Sequence, residues 1–273
     1  MTGAGRWIAA LALCACSAEG QLLFRKAGPE LGVSDASTPP IGGVVRSDMS
    51  LQYQITGEID PQVDAELYVV DLFDTNADEV TQLHAAGRVV VGYVSVGTLE
   101  SWRSDESQFP RAAVGRTVPN YSNESWLDVR NADVRRLMQA RFARAATKGF
   151  DGVFASTLGA YRQNSGFDLT RADELDYHAF LTDAAHAAGL VIGLSGDFEL
   201  SAELANLYDF AIATSCIMRD TCGDLAPLQA RGMPVFDLES STDHAMICER
   251  AKSFGIAVTF KDERYGAAST TCP

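Results

Sequence analysis

The sequence predicts an α/β protein folded as a (β/α)8 TIM barrel, and three observations carry that prediction. Amphipathic segments end in glycine, and a short apolar run follows each of these glycines at once. This pattern occurs five times from residue 50 onward and indicates parallel strands joined by helices. With three further apolar runs the chain offers eight strands in about 220 residues, the usual size of such a barrel. The doubly wound alternative would show a GxGxxG turn after an early strand, and the sequence contains none there.

Each predicted strand that follows a glycine is a mostly continuous apolar run, as expected for a strand buried on both faces. The five runs that follow a glycine are GRVVVGYVSVG, GFDGVFAS, GLVIGLSG, GMPVFDLES and GIAVTFKDE. The other three are LQYQIT, AELYVVDL and DFAIATSC. Two of the intervening helices have clear starts, because Asn131 can cap one helix and Thr170 with Asp173 resembles a capping box for the next.

The chain divides into a short leader, a tether and one domain. Residues 1–16 carry one positive charge and an apolar run too short to span a bilayer, which predicts a secretory signal. The signal ends in Leu13-Cys14-Ala15-Cys16, which resembles a bacterial lipobox, so lipidation at Cys16 is predicted, with a plain cleaved signal as the alternative. Residues 17–49 contain Pro39-Pro40 and Gly42-Gly43 and predict a flexible tether. Residues 50–273 form the predicted barrel.

The charge of the chain restricts its partners. The formal net charge is −14 and the sequence pI is about 4.6. Nucleic-acid binding needs a basic face for phosphate contacts, so this class is excluded. An acidic surface would suit a cationic ligand, although many secreted proteins are simply acidic.

The cysteines predict disulfides. Four of the six lie outside the signal region, an even number that suits an oxidising compartment. Three connectivities are possible, and the prediction is the local one, Cys216–Cys222 with Cys248–Cys272. The spacings are not CxxC pairs, so a zinc site is disfavoured, and the sequence indicates neither a metal nor an organic cofactor.

The functional site of such a barrel lies at the carboxyl ends of its strands. Acids, aromatic rings and an arginine gathered there would resemble a sugar site, because rings stack on sugars and carboxylates bind hydroxyls or amines. The predicted substrate-binding residues are Tyr53, Asp71, Asp74, Tyr93, Ser95, Glu100, Trp102, Arg103, Asp128, Asp197 and Glu239. Several have purely structural alternatives: the two acids after strand two as helix caps, Asp128 with Arg130 as a loop clamp, and Trp102 as cover packing. Glu239 is predicted to point toward the barrel mouth.

The four histidines all fall on predicted helices. They are His84, His178, His186 and His244. We expect them to be surface or cap residues rather than catalysts.

The order and spacing of these motifs, including YVSVGTLESWRSD, WLDVR and NSGFDLT, resemble glycoside hydrolase family 114, the endo-α-1,4-polygalactosaminidase family. The resemblance covers residue 50 to the carboxyl terminus. It implies a (β/α)8 barrel and hydrolysis of galactosamine-containing polysaccharide, usually outside the cytoplasm. A cationic polymer of this kind would suit an acidic mouth.

The resemblance fails at the residues that look like the catalytic pair. The family reads about DGVEPDN where this chain reads DGVFAST, so Phe154 and Ser156 replace a Glu and an Asp. The family Glu on the sixth strand falls on Thr214. Hydroxyl side chains cannot replace a carboxylic acid as proton donor, because their pKa is far too high.

Three functions remain open at this point. The first is a non-catalytic, surface-anchored barrel that binds a galactosaminoglycan. The second is a working glycosidase with relocated acids, Glu239 together with Asp197 or Asp71. The third is a structural or interaction lipoprotein without a sugar site. In each case we expect a monomer outside the cytoplasm, lipid-anchored to the bacterial envelope or secreted.

Overall fold

The structure is a computed structural model that describes residues 44–272, and the leader and most of the predicted tether, Cys16 included, lie outside them. The strands are β1 Leu51–Gln54, β2 Leu67–Asp71, β3 Val89–Ser95, β4 Thr98–Glu100, β5 Val114–Val118, β6 Tyr121–Leu127, β7 Gly152–Ser156, β8 Val191–Leu194, β9 Phe210–Thr214, β10 Val235–Glu239, β11 Ala257–Phe260 and β12 Thr270–Thr271. The α-helices are α1 Ala77–Ala85, α2 Ala132–Lys148, α3 Arg171–Ala187, α4 Ser201–Leu204, α5 Ala226–Gln229 and α6 His244–Phe254.

Eight parallel strands form the main sheet, in the order β1-β2-β3-β7-β8-β9-β10-β11. They coincide with the eight apolar runs of the sequence, and the (β/α)8 barrel is confirmed. The short β12 joins the edge of β11 in the antiparallel direction.

Side chains connect the first and last parallel strands. Thr259 Oγ1 donates to the carbonyl of Leu51 at 3.1 Å, and Lys261 Nζ donates to Gln52 Oε1 at 3.2 Å. Gln52 Nε2 in turn donates to the carbonyl of Ala267 at 2.8 Å. These bonds tie β1 to β11 and to the carboxyl-terminal segment, so the sheet curls into a barrel.

Successive side chains of each strand point alternately into the barrel and toward the helices, which gives the protein two hydrophobic cores. On β7, Phe154 packs inside the barrel, while Val153 and Ala155 face the helices. The helices begin where the sequence predicts, with Asn131 Oδ1 accepting the N–H of Val134 and Thr170 with Asp173 forming a capping box.

A second, three-stranded antiparallel sheet of order β4-β6-β5 follows β3. The sequence predicts only a long loop here. The hairpin of β5 and β6 was missed because most side chains at the start of β6 are exposed. The segment Tyr121-Ser122-Asn123-Glu124-Ser125 is therefore polar and lacks the apolar run that predicts a buried strand. Its position directly after β3 brings it to the carboxyl end of the barrel.

Both predicted disulfides are present. Cys216–Cys222 closes the loop after β9, and Cys248–Cys272 fixes the carboxyl-terminal segment to α6. Within residues 44–272, the helices are all too short or too polar to cross a bilayer.

Candidate functional site at the barrel mouth

The mouth of the barrel carries hydroxyls at the two positions where the resemblance implies catalytic acids. Ser156 ends β7 and is half-buried, and Thr214 ends β9 and is exposed. Only β8 separates these strands. The two side chains therefore share the mouth, but neither can donate a proton as a carboxylic acid does.

Aromatic rings close the barrel beneath the mouth. Phe154 is 3% exposed and contacts Tyr53, with ring centroids 5.9 Å apart, and Tyr93, with centroids 6.5 Å apart. Tyr265 completes the group at 5.2 Å from Tyr53. Burial raises the pKa of the Tyr53 and Tyr93 hydroxyls, so both are neutral at physiological pH. A phenyl ring thus fills the interior position at which the resemblance implies a glutamate.

Arg103 holds two of the predicted acids. Its guanidinium makes two bonds to Asp71, at 2.9 and 2.6 Å, and two to Glu100, at 2.8 and 3.1 Å. The arginine side chain is only 4% exposed. Asp71 Oδ1 also accepts the N–H groups of Phe73 and Asp74, so it shapes the turn after β2 rather than capping α1.

Glu124, which the sequence analysis did not select, stands opposite Glu100 in the antiparallel pair of β6 and β4. Its Oε2 accepts a bond from Thr98 Oγ1 at 3.0 Å, and Thr98 contacts Ser95 Oγ at 2.5 Å. Partial burial, with the nearby charge of Glu100, raises the pKa of Glu124. Its only sequence signal was the acid itself, in a segment predicted to be a loop.

A cavity of about 360 Å³ opens at the ends of β9, β10 and β11. It combines the hydroxyl of Thr214, the aromatic rings of Tyr121 and Tyr265, and the exposed acids Asp262 and Glu263. Arg219 and Lys261 add positive charge to the same wall. Burial lowers the pKa of Lys261 to about 8. The cavity therefore offers rings and both signs of charge, which suits a polar ligand.

Two of the predicted ligand residues are exposed beside Arg103. Trp102 is 54% exposed, and its ring lies 5.6 Å from Arg103 Cζ. The Asp74 side chain is 80% exposed and lies 3.8 Å from the same guanidinium. Asp128 is different, because it pairs with Arg130 at 2.9 Å, and Arg130 also donates to the carbonyl of Asp168. That pair connects the loop after β6 to the segment before α3.

Glu239 lines the cavity at the end of β10, but it is anchored within the protein rather than exposed. It is 1% exposed, and its Oε1 accepts the N–H groups of Ile217 and Met218 at 3.0 and 3.2 Å. Asp237, on the same outer face of β10, accepts the N–H of Cys216 at 3.2 Å. Phe236 and Leu238 occupy the inner face of β10 and pack inside the barrel. The two acids thus hold the loop after β9.

This pair of acids makes stability depend on pH. Burial, then the bond to Glu239, raises the pKa of Asp237 from 3.8 to about 8. The folded state therefore keeps a proton that the unfolded chain has lost. The stabilisation is complete below about pH 4 and disappears as pH rises through about 8.

We expect Asp237→Asn to flatten the fall in the free energy of unfolding between about pH 4 and 8. The asparagine amide can still donate toward Glu239, but it does not titrate. Urea unfolding at several pH values measures this. A slope as steep in the variant as in the parent would contradict the assignment, and Asp133→Asn, on the exposed start of α2, serves as the control.

Asp197 lies behind the mouth, not in it. It is 2% exposed, its Oδ1 pairs with Arg162, and its Oδ2 lies 3.1 Å from His178 Nε2. His178 is fully buried, so the expectation that all four histidines are surface or cap residues is wrong for this one. The ring was misjudged because the packing of α3 against β8 is decided by partners distant in sequence, such as Tyr208, whose hydroxyl lies 2.7 Å from Nδ1. Glu174, also buried, completes the cluster and was not selected from the sequence.

Comparison with known proteins agrees with this architecture. Residues 34–273 match the model of glycoside-hydrolase family GH114. The crystal structure of Aspergillus fumigatus Ega3 in complex with galactosamine superposes with a TM-score of 0.79 at 28% identity, over 84% of this chain and 96% of that one. The glycoside hydrolase domain of PelA from Pseudomonas aeruginosa shares the fold, with a TM-score of 0.63 at 16% identity over 81% of this chain and 97% of that domain.

Among curated sequences, an uncharacterised protein of Deinococcus radiodurans is 26% identical over 295 residues, which cover 90% of this chain and 92% of that protein. The family match extends over nearly the whole barrel and the end of the preceding segment. The chain therefore belongs to glycoside-hydrolase family GH114 and is a carbohydrate-active domain of the glycoside hydrolase type.

Proposed function

We propose that this protein binds a galactosamine-containing polysaccharide at the barrel mouth without hydrolysing it. The observation that carries the proposal is the combination of Ser156 and Thr214 at the mouth with Phe154 beneath them. Family membership and the galactosamine complex of Ega3 support a sugar as the ligand. The barrel keeps the strand ends at which the resemblance implies a catalytic pair of acids. Ser156 and Thr214 occupy those strand ends, so the proton donor and its partner carboxylate are missing.

Four other acids of the predicted site do not replace the missing pair. Asp71 and Glu100 are both buried and paired with Arg103. Asp197 and Glu239 are buried and bonded within the protein. A glycosidase needs one acid that donates a proton and one carboxylate that attacks or activates water, both open to the sugar. These four residues meet a structural need instead.

The groups left for a ligand are exposed rings and acids. Trp102 and Asp74 lie on one side of the mouth, and Tyr121, Asp262 and Glu263 lie at the cavity. Rings can stack on a sugar, and an ammonium group is attracted both to a ring face and to a carboxylate. This set suits a polymer of amino sugars with free amines.

The proposal is tested with the purified full-length chain and de-acetylated α-1,4-galactosaminoglycan over pH 4–8. We expect saturable binding and no release of reducing ends over a long incubation. Release that disappears in Glu239→Gln, with Glu203→Gln as a matched surface control, would instead establish an active enzyme with relocated acids. Absence of both binding and release would favour the structural or interaction lipoprotein.

Trp102→Ala is expected to weaken polymer binding about fivefold, because it removes an exposed ring on which a sugar or ammonium can rest. Titration by fluorescence or calorimetry measures the change. His84→Ala is the matched control, since His84 lies in the last turn of α1, at the other end of the barrel. An equal affinity for the Trp102 variant and the parent would remove this ring from the site.

We also propose that the protein works outside the cytoplasm, as a monomer anchored through lipidated Cys16. The two disulfides support an oxidising compartment, and the lipobox-like sequence supports the anchor. Cys16→Ala should move the protein from the membrane to the soluble fraction, while Cys14→Ala should leave it in the membrane. Membrane association of both variants alike would rule out the lipid anchor.

A further inference from the structure

We propose that Glu174, His178 and Asp197 form a binding site for one divalent transition-metal ion, for which zinc is the best match. The site lies behind the mouth, between α3 and the loop after β8, and does not depend on the proposed sugar binding. One carboxylate oxygen of each acid and one ring nitrogen of the histidine lie within 4.8 Å of one another.

The local structure brings these three groups together. Glu174 and His178 are four residues apart on α3 and so occupy the same face of the helix. Asp197 reaches them from the loop after β8, with its own backbone in the left-handed region at a φ of 52°. All three are at most 2% exposed. The cluster is thus held by α3 and the loop after β8, and it is buried in the protein.

One carboxylate oxygen of Glu174 has no hydrogen-bond partner among the described residues. Glu174 Oε1 accepts the N–H of Gly159 at 3.0 Å, while Glu174 Oε2 has no hydrogen-bond partner among residues 44–272. Leaving a buried carboxylate oxygen unpaired is costly, so such a group points to a missing ligand. A zinc ion bonds its ligands at about 2.0–2.2 Å, which requires the three groups to draw together by roughly an ångström.

The histidine is also prepared as a ligand. Its Nδ1 lies 2.7 Å from the hydroxyl of Tyr208, which can accept the ring proton. With Nδ1 protonated in this way, Nε2 would be free to bind the ion beside Asp197 Oδ2. A bond of this kind on the second ring nitrogen is the usual companion of a metal-bound histidine.

The charges favour a dication. The two acids contribute two negative charges, and Arg162 contributes one positive charge through Asp197 Oδ1. The Arg162 side chain is 44% exposed and also pairs with Glu199 at 2.7 Å, so it can turn outward and open a path for the ion. Asp197 Oδ2 is the oxygen left for the metal. Imidazole with two carboxylates suits zinc among the abundant divalent ions.

A proton is the competitor for this position, because a hydrogen shared between Glu174 and Asp197 would also relieve the unpaired oxygen.

The test uses the full-length chain after treatment with a chelator. After addition of zinc and desalting, we expect one equivalent of retained zinc by elemental analysis and a rise in Tm of about 5 °C in excess zinc. Glu174→Gln and His178→Gln should retain at least tenfold less zinc at the same free concentration. His186→Gln is the matched control on the same helix, because His186 also pairs with an acid, Asp209, and should retain the ion.

A parent chain that retains no zinc and shows no shift in Tm would overturn the proposal in favour of the shared proton. Equal retention by the Glu174 and His178 variants would overturn it in favour of another site. X-ray absorption of the zinc-loaded parent does not depend on the folding of any variant. We expect nitrogen and oxygen neighbours from the three side chains and water, and sulfur neighbours would show that cysteines bind the ion instead.

Discussion

Arg103→Ala is expected to lower the free energy of unfolding by about 3–5 kcal/mol. The guanidinium makes four bonds to Asp71 and Glu100, and all three side chains are less than 10% exposed. Removing the arginine leaves two buried carboxylates facing each other without a counter-charge. Urea unfolding of parent and variant measures the loss.

The matched control is Arg136→Ala, which removes an exposed arginine paired with Asp133 at 3.4 Å on α2. It should change stability by less than about 0.5 kcal/mol. Adding Asp71→Asn and Glu100→Gln to Arg103→Ala should restore part of the stability, because the stranded charges are then gone. A loss no larger than that of the control would show that the pairing contributes little. The main role of Asp71 and Glu100 is therefore structural, because both carboxylates pair with the buried Arg103.

Ser156→Asp combined with Thr214→Glu is expected to give the protein reducing-end release at least about 100-fold above the parent. The two positions end β7 and β9, with β8 between them. Strands are spaced by about 4.8 Å and Thr214 lies two residues beyond the level of Ser156, so the two Cα atoms lie roughly 12 Å apart. Carboxyl groups that lean into the mouth from there fall within the separations of about 5–9.5 Å that glycosidases use.

Ser156→Asn with Thr214→Gln is the matched control, since it has nearly the same size and shape but no acid. Both doubly substituted proteins should bind the polymer, and only the first should cleave it. A folded, polymer-binding acid variant without release would mean that these positions are not the catalytic pair, or that Phe154 blocks the approach of the sugar. Adding Phe154→Ala to the acid variant separates these two explanations, because it removes only the ring.

Much of the architecture followed from local pattern. Most of the eight parallel strands could be predicted because each is an apolar run that begins after an amphipathic segment, and these features are written in neighbouring residues. The helix starts at Asn131 and Thr170 followed in the same way, since a cap is a contact within one turn. The local disulfides joined cysteines 6 and 24 residues apart, where a short loop already keeps the two thiols close.

The candidate site was predicted only in outline. The replacement of the expected acids by Ser156 and Thr214 was visible because the motifs DGVFAST and ATSC can be compared with the family motifs that they resemble. The roles of the remaining acids were not visible. Glu239 lines the cavity at the mouth, but its carboxylate also holds the loop after β9 through backbone groups 22 and 21 residues away, which no local pattern shows.

The sequence by itself determined the barrel, the cysteine pairing and the absence of acids at two strand ends, because each depends on neighbours along the chain or on the residue alone. Only the tertiary structure decided that Arg103 neutralises Asp71 and that His178 is buried beside Asp197 and Glu174. These groups come from segments up to 32 residues apart and meet only when the barrel closes. Their burial and their bonds depend on those distant partners, so no local pattern encodes them.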